Sequence, residues 1–173
     1  MKSILRLTHA YHFAAQAHVH QRRKGELAEP YLNHLTEVAD LVARATDGES
    51  DTIIAAILHD TVEDTNTTYE DLRAAFGQSV ADLVMEVTDD KSLPSAKRKA
   101  LQIEHAPHAS HSARIIKLGD KTSNLRSLAA SPPADWPRQR RDDYVTWARQ
   151  VVDGCRDANP WLAAQFDAAA EAV

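Results

Sequence analysis

A histidine and three carboxylates, His59, Asp60, Glu63 and Asp64, follow directly on six consecutive apolar residues, Ile53 to Leu58. An apolar run of this kind carries its far end into a protein interior. Burying an unpaired charge costs roughly several kcal/mol, so such groups are normally paired or bound to a metal. Two further residues share this character. His34 lies near the start of a segment whose apolar positions include Leu35, Val38, Leu41 and Val42, and Asp120 follows Ile115, Ile116 and Leu118. His34, His59, Asp60 and Asp120 make a mixed nitrogen and oxygen ligand set. Such a set suits Mn²⁺, Fe²⁺ or Zn²⁺ better than Ca²⁺, which prefers oxygen throughout. Four protein ligands on an ion of higher coordination number leave positions for water and a phosphate oxygen.

The His-Asp pair alone is weak evidence. Adjacent helical residues point about 100° apart, so both reach one ion only if it sits in the wedge between them. A histidine at a helix end also complements the negative C-terminal dipole without any metal. Glu63 and Asp64 suit the orientation and deprotonation of an attacking water, as nearby carboxylates do in metal-assisted hydrolysis. They equally suit an acidic turn at the start of the next helix. Gln21-Arg22-Arg23-Lys24 could hold phosphate, as could Arg138, Arg140 and Arg141, because arginine grips phosphate with two donors. Either cluster could also be a solvated surface. His9, His12, His18 and His20, and later His105, His108 and His111, read as surface or packing residues, since no carboxylate is spaced to complete a site with them.

The elements that must position these groups are helical. Strand-like alternation is nearly absent, and Ala, Leu, Val, Arg and Glu recur at helical spacing. Helices are expected over about 4–20, 31–46, 50–60, 67–76, 78–87, 94–105, 113–128, 138–153 and 157–171. Thr67 with Glu70 reads as a capping box. Pro94 falls in the first turn of its helix. The helix ending in His59-Asp60 is apolar nearly all round and should be central. Gly25–Pro30 and Ser131–Pro137 read as surface loops. The expectation is an all-α bundle of about eight to nine helices forming a single domain over 1–173.

Composition bounds the rest. Hydrophobic residues make up 43% and charged residues 26%, ordinary for a globular chain with a core of its own. A net charge of −5 argues against nucleic acid as a partner. With Cys155 alone, neither an internal disulfide nor a thiolate-rich zinc site can form, which points to a reducing, cytoplasmic setting. The N-terminus does not read as a signal peptide, and no window reads as a membrane span.

Taken in order, Arg22-Arg23-Lys24, Pro30 to His34, Ala55 to Asp64, Phe76-Gly77, Val87 to Lys91 and Ile116 to Arg126 resemble the HD-domain hydrolases of the RelA/SpoT family, and among them the small stand-alone type. The string Leu58-His59-Asp60-Thr61-Val62-Glu63-Asp64 is close to diagnostic. The resemblance implies an all-helical HD-type phosphohydrolase domain, dependent on Mn²⁺, that removes the 3′-pyrophosphate of (p)ppGpp to give GDP or GTP. It implies that His34, His59, Asp60 and Asp120 hold the metal and that Glu63 and Asp64 activate water. It implies substrate contacts from Arg23, Lys24 and Asn124, and from Arg140 and Tyr144 on a late helix. The substrate is then a small nucleotide. With no room left for a synthetase domain, hydrolysis without synthesis is expected.

Departures from the family pattern bear on the substrate more than on the metal. Leu35 stands where the family has proline after the histidine ligand. Ser95 stands where a lysine is common, which removes one phosphate contact. Thr122 and Ser123 replace larger side chains, so the pocket wall near the base should differ. Two other readings stay open at this point: a nucleotide phosphatase acting on another ribose-phosphate such as NADPH, and a metal-binding sensor without catalysis.

Overall fold

The computed structural model describes residues 2–173 and is all-helical. Its helices are α1 (Lys2–Ala17), α2 (Leu32–Ala45), α3 (Ser50–Leu58), α4 (Thr61–Asp64), α5 (Tyr69–Phe76), α6 (Gln78–Val87), α7 (Ser95–His105), α8 (His111–Ala130), α9 (Arg138–Asp153) and α10 (Pro160–Glu171). Short 3₁₀ turns at Ala106–His108 and Arg156–Ala158 precede α8 and α10. Among the described residues no strand forms; Arg22 and Pro30 make an isolated antiparallel bridge that closes the loop between α1 and α2. No described helix is long and apolar enough to cross a membrane.

α3 is the hub. Thr52 through Leu58 are all buried, and the helix packs against α1, α2, α6 and α8. Each fully buried Ile or Leu contributes roughly 1.5–3 kcal/mol relative to exposure. Ile54, Ile57 and Leu58 are each 0% exposed, so they anchor the helix firmly enough to hold a buried imidazole at its end. Glu49 starts α3 by accepting from the backbone N–H groups of Asp51 at 3.0 Å and Thr52 at 2.7 Å. α8 is the second buried element, packed on α2, α3, α6, α9 and α10.

Two local expectations need correction. The capping box is one residue later than expected: Thr68 caps α5, and Asp71 is its partner. Thr67 with Glu70 and Thr68 with Asp71 offer the same spacing, and the structure uses the second pair. Pro94 is the residue before α7 rather than inside its first turn. Gly77 ends α5 and begins α6 at φ 93°, a left-handed conformation that favours glycine.

Candidate metal centre and substrate cleft

Three helices deliver the ligand set. His34 is the third residue of α2, His59 ends α3, Asp60 precedes the single turn α4, and Asp120 lies midway along α8. Ligand atoms of His34, His59 and Asp120 all lie within 4.8 Å of one another. Asp60 Oδ2 approaches both imidazoles, 3.2 Å from His59 Nε2 and 3.6 Å from His34 Nε2. It also accepts from the Tyr31 hydroxyl at 2.5 Å. The four residues expected to gather do so, with Asp60 entering from the side of Tyr31.

The proton order of the imidazoles fits a metal. His59 Nδ1 lies 2.8 Å from the carbonyl oxygen of Ala56, which only accepts. His59 therefore donates from Nδ1, which leaves Nε2 as the atom that faces the centre. His34 Nδ1 lies 2.9 Å from Ser123 Oγ, and Ser123 donates its hydroxyl to Glu37 Oε2 at 2.7 Å. His34 must then donate to Ser123, and its Nε2 also faces inward. Both Nε2 atoms are buried without a hydrogen-bond partner. Buried polar atoms are seldom left so, and two ring nitrogens facing two carboxylates are what a divalent cation, taking the place of the proton on His59, would satisfy.

Without a metal the two imidazoles differ in their preference for charge. Burial pushes the His34 imidazole below its ordinary value. Burial opposes charge on His59 too, but Asp60 and then Asp120 overcome it and lift His59 to about 9. Asp60 is held well below the usual carboxylate range: burial opposes this, and His59 prevails. Asp120 is held low likewise, with Lys121 as its main counter-charge, Nζ to Oδ2 2.8 Å.

The acids expected to activate water stand beside this set. Glu63 and Asp64 sit on α4, one turn beyond Asp60, and are partly buried rather than an exposed acidic turn. Burial pushes the Glu63 carboxyl up; the Asp89 N–H, 3.0 Å away, opposes the rise, and the Asp60, Asp89 and Asp64 charges reinforce it. Lys91 pairs with Asp64 Oδ1, and Arg98 lies 3.7 Å from Glu63. Glu63 and Asp64 border two spaces at once. One is a polar cavity of about 150 Å³ shared with His59, Asp60 and Asp120; the other is a cleft of about 500 Å³. The larger volume falls within the roughly 300–1,000 Å³ of small-molecule sites.

The cleft is lined by the cations Arg22, Arg23, Lys24, Lys91 and Arg98 and by the aromatic residues Trp136 and Tyr144. Arg23 donates to Asn124 Oδ1 at 3.0 Å, and Asn124 donates to Asp120 Oδ1 at 2.5 Å, joining a cleft cation to the candidate metal cluster. Burial raises the Tyr144 phenol to about 12 against the opposing charge of Lys121, so its hydroxyl stays a donor. Arg140 stands behind the wall, its guanidinium 4.4 Å over the ring of Trp136. Gly25 brings the Arg23-Lys24 loop against Ser131, where a Cβ would meet the Ser131 carbonyl at 2.1 Å.

The sequence expectation misplaced Thr122 and Ser123 and overlooked four other residues. Thr122 and Ser123 line neither space. Both are 0% exposed; Thr122 bonds back to its own helix, and Ser123 supports His34. Lys91 and Arg98 were without a role, as were His18 and Gln21 as a pair. His18 is buried, as a packing role requires, yet it also reaches Asp64 through Gln21.

A helical bundle that converges His34, His59 and Asp120 beneath a His-Asp helix end defines the class of metal-binding HD domains. Comparison with known proteins agrees. The HD domain family matches residues 10–149. Guanosine-3′,5′-bis(diphosphate) 3′-pyrophosphohydrolase MESH1 of Xenopus tropicalis is 49% identical over 160 residues, covering 91% of this chain and 89% of its own length. The Danio rerio protein of the same name is 48% identical over 154 residues, 88% of this chain and 86% of that one. A solved structure of a metazoan orthologue of SpoT that hydrolyses ppGpp superimposes with a TM-score of 0.91 at 42% identity, covering 95% of this chain and 93% of that one. The chain belongs to the HD-domain family, and within it to the Mesh1-like hydrolases of the RelA/SpoT group.

Proposed function

We propose that the chain is a Mn²⁺-dependent phosphohydrolase that removes the 3′-pyrophosphate of (p)ppGpp, giving GDP or GTP and pyrophosphate. The observation that carries this reading is the double frontage of Glu63 and Asp64, which border both the ligand cavity and the cationic cleft. A metal that activates water on one side and an anionic substrate on the other must meet at such a boundary. The relatives named for this activity supply the substrate.

A divalent ion at the His34, His59, Asp60 and Asp120 set supplies Lewis-acid polarisation of water and of a phosphoryl oxygen. The chain's own residues do the rest. Asp64 takes a proton from the attacking water, and Glu63 orients it. The water oxygen bonds to the phosphorus next to the ribose; the bond from that phosphorus to the 3′ oxygen breaks. The 3′ oxygen leaves as a hydroxyl, taking a proton from solvent in exchange for the one Asp64 later releases, and pyrophosphate is the second product. Arg23, Lys24, Lys91 and Arg98 neutralise the phosphates, with Asn124 joining Arg23 to Asp120. Tyr144 and Trp136 offer aromatic faces to the base, a contact worth about 1–3 kcal/mol in other proteins. Arg140 braces Trp136. A cytoplasmic setting is part of the proposal, in keeping with the single, buried Cys155.

The test is a substrate panel on chelator-stripped protein reloaded with Mn²⁺, Fe²⁺ or Zn²⁺. GDP and pyrophosphate should appear from ppGpp, fastest with Mn²⁺. If ppGpp survives while NADPH or another nucleotide is consumed, the substrate assignment is wrong.

A further inference from the structure

His18, Gln21 and Asp64 form a single hydrogen-bonded chain beside the cleft. Gln21 Nε2 donates to Asp64 Oδ2 at 2.7 Å. His18 Nδ1 lies 2.6 Å from Gln21 Oε1. A carboxylate only accepts, so the amide group of Gln21 turns its NH₂ toward Asp64 and its carbonyl toward His18. His18 must then donate from Nδ1. Each proton in the chain has one placement.

The far end of the chain is fixed. His18 is 3% exposed, and its ring stacks on Tyr31 with centroids 5.2 Å apart and planes 28° apart. The Gln21 N–H donates to the His18 carbonyl at 3.0 Å, and the Tyr31 N–H donates to the Gln21 carbonyl at 3.1 Å. Gln21 is therefore held at both its backbone and its side-chain carbonyl. Asp64 Oδ1 is taken by Lys91, whose side chain is 48% exposed. A lysine at the end of a flexible stem brings charge but little direction. The planar amide of Gln21 is what sets the rotation of the Asp64 carboxylate.

We propose that Gln21, locked in orientation by His18, is a positioning residue for Asp64. This rests on the reading of Asp64 as the proton acceptor. A misplacement of about 1 Å in such a group can cost on the order of a hundredfold in rate.

Four variants and one spectroscopic measurement test it. Gln21→Met keeps the length and removes both polar ends; kcat should fall roughly 10- to 100-fold, with KM and metal affinity unchanged. His18→Phe keeps the ring on Tyr31 and removes the donor, and should fall similarly. His18→Asn restores an N–H near the position of Nδ1 and should recover most of the rate. Melting temperatures check that each variant is folded, and Gln21→Met carries the test if His18→Phe is not. In the metal-free protein, ¹⁵N-labelled histidine should show His18 protonated on Nδ1. An Nε2–H tautomer, or parental kcat in Gln21→Met, overturns the proposal. Asp64→Asn separates the two layers. If it keeps parental kcat, the reading of Asp64 fails and the positioning role falls with it. If it is inactive while Gln21→Met and His18→Phe work normally, positioning alone fails.

Discussion

Ser123 Oγ receives the Nδ1 proton of His34 at 2.9 Å and passes its own proton to Glu37 at 2.7 Å. Arg126 closes the series with a 3.1 Å bond to the other Glu37 oxygen. A small hydroxyl on α8 thus decides which nitrogen of a residue on α2 faces the metal position. Partners of this kind orient metal ligands, and their loss typically costs about 10- to 100-fold in affinity or activity.

Ser123→Ala is therefore expected to weaken Mn²⁺ binding by about 10- to 100-fold while the helical signal is preserved. Competition against a chelator of known affinity measures it. Unchanged affinity would mean that burial alone holds His34 in place.

Asp120 pairs with Lys121 as well as belonging to the cluster that could hold a metal. Lys121 is 6% exposed, and its ammonium lies 2.8 Å from Asp120 Oδ2. Asp120→Ala leaves that buried charge without its nearest partner, a loss of about 3–5 kcal/mol where such pairs are broken. Urea unfolding without metal should show it, and added Mn²⁺ should no longer raise the midpoint.

Stability without metal should depend on pH through His59. Its value in the fold, about 9, lies above the ordinary 6.5. The folded state therefore holds a proton more tightly than the unfolded chain. That contribution is complete below pH 6.5 and fades as pH rises through about 9. Asp60 and Asp120 are shifted the opposite way, so their contributions vanish only in acid and stay constant across this window. Melting temperatures at pH 6, 8 and 10 should fall in chelator. With Mn²⁺ bound, His59 is neutral already and its part of the slope should disappear.

Gly25→Ala should act on the substrate and not on the metal. The added Cβ would strike the Ser131 carbonyl at 2.1 Å, so the loop bearing Arg23 and Lys24 must shift. A KM several-fold higher with unchanged Mn²⁺ affinity is expected, read from steady-state kinetics and metal titration. Equal KM would place the phosphate contacts elsewhere.

What could be read from the chain followed how local each signal was. The six apolar residues before His59 already describe a buried helix ending at a site, because helix, burial and ligand lie within one short run. Asp120 was legible for the same reason. The Thr67 and Thr68 ambiguity was a one-residue question that two equivalent acids left open. Gln21 and Asp64 are separated by 43 positions, and Lys91 and Asp64 by 27. No spacing rule joins such pairs before the fold brings the loop after α1, α4 and the segment after α6 together. Ser123 was misread for another reason. α8 is buried on most of its circumference, so its pattern does not say which neighbour each side chain meets.

Trp136 gives the cleft an optical reporter of its own. It is one of three tryptophans and the one that lines the cleft, next to Tyr144 and under the Arg140 guanidinium. Trp147 packs against Tyr144 from behind, ring centroids 5.3 Å apart, and donates to the Lys99 carbonyl, whereas Trp161 is 41% exposed on α10. A nucleotide entering the cleft would change the surroundings of the Trp136 indole directly, while Trp161 would stay as an internal reference. Occupancy could then be followed by intrinsic fluorescence, with no label and no turnover, in protein stripped of metal.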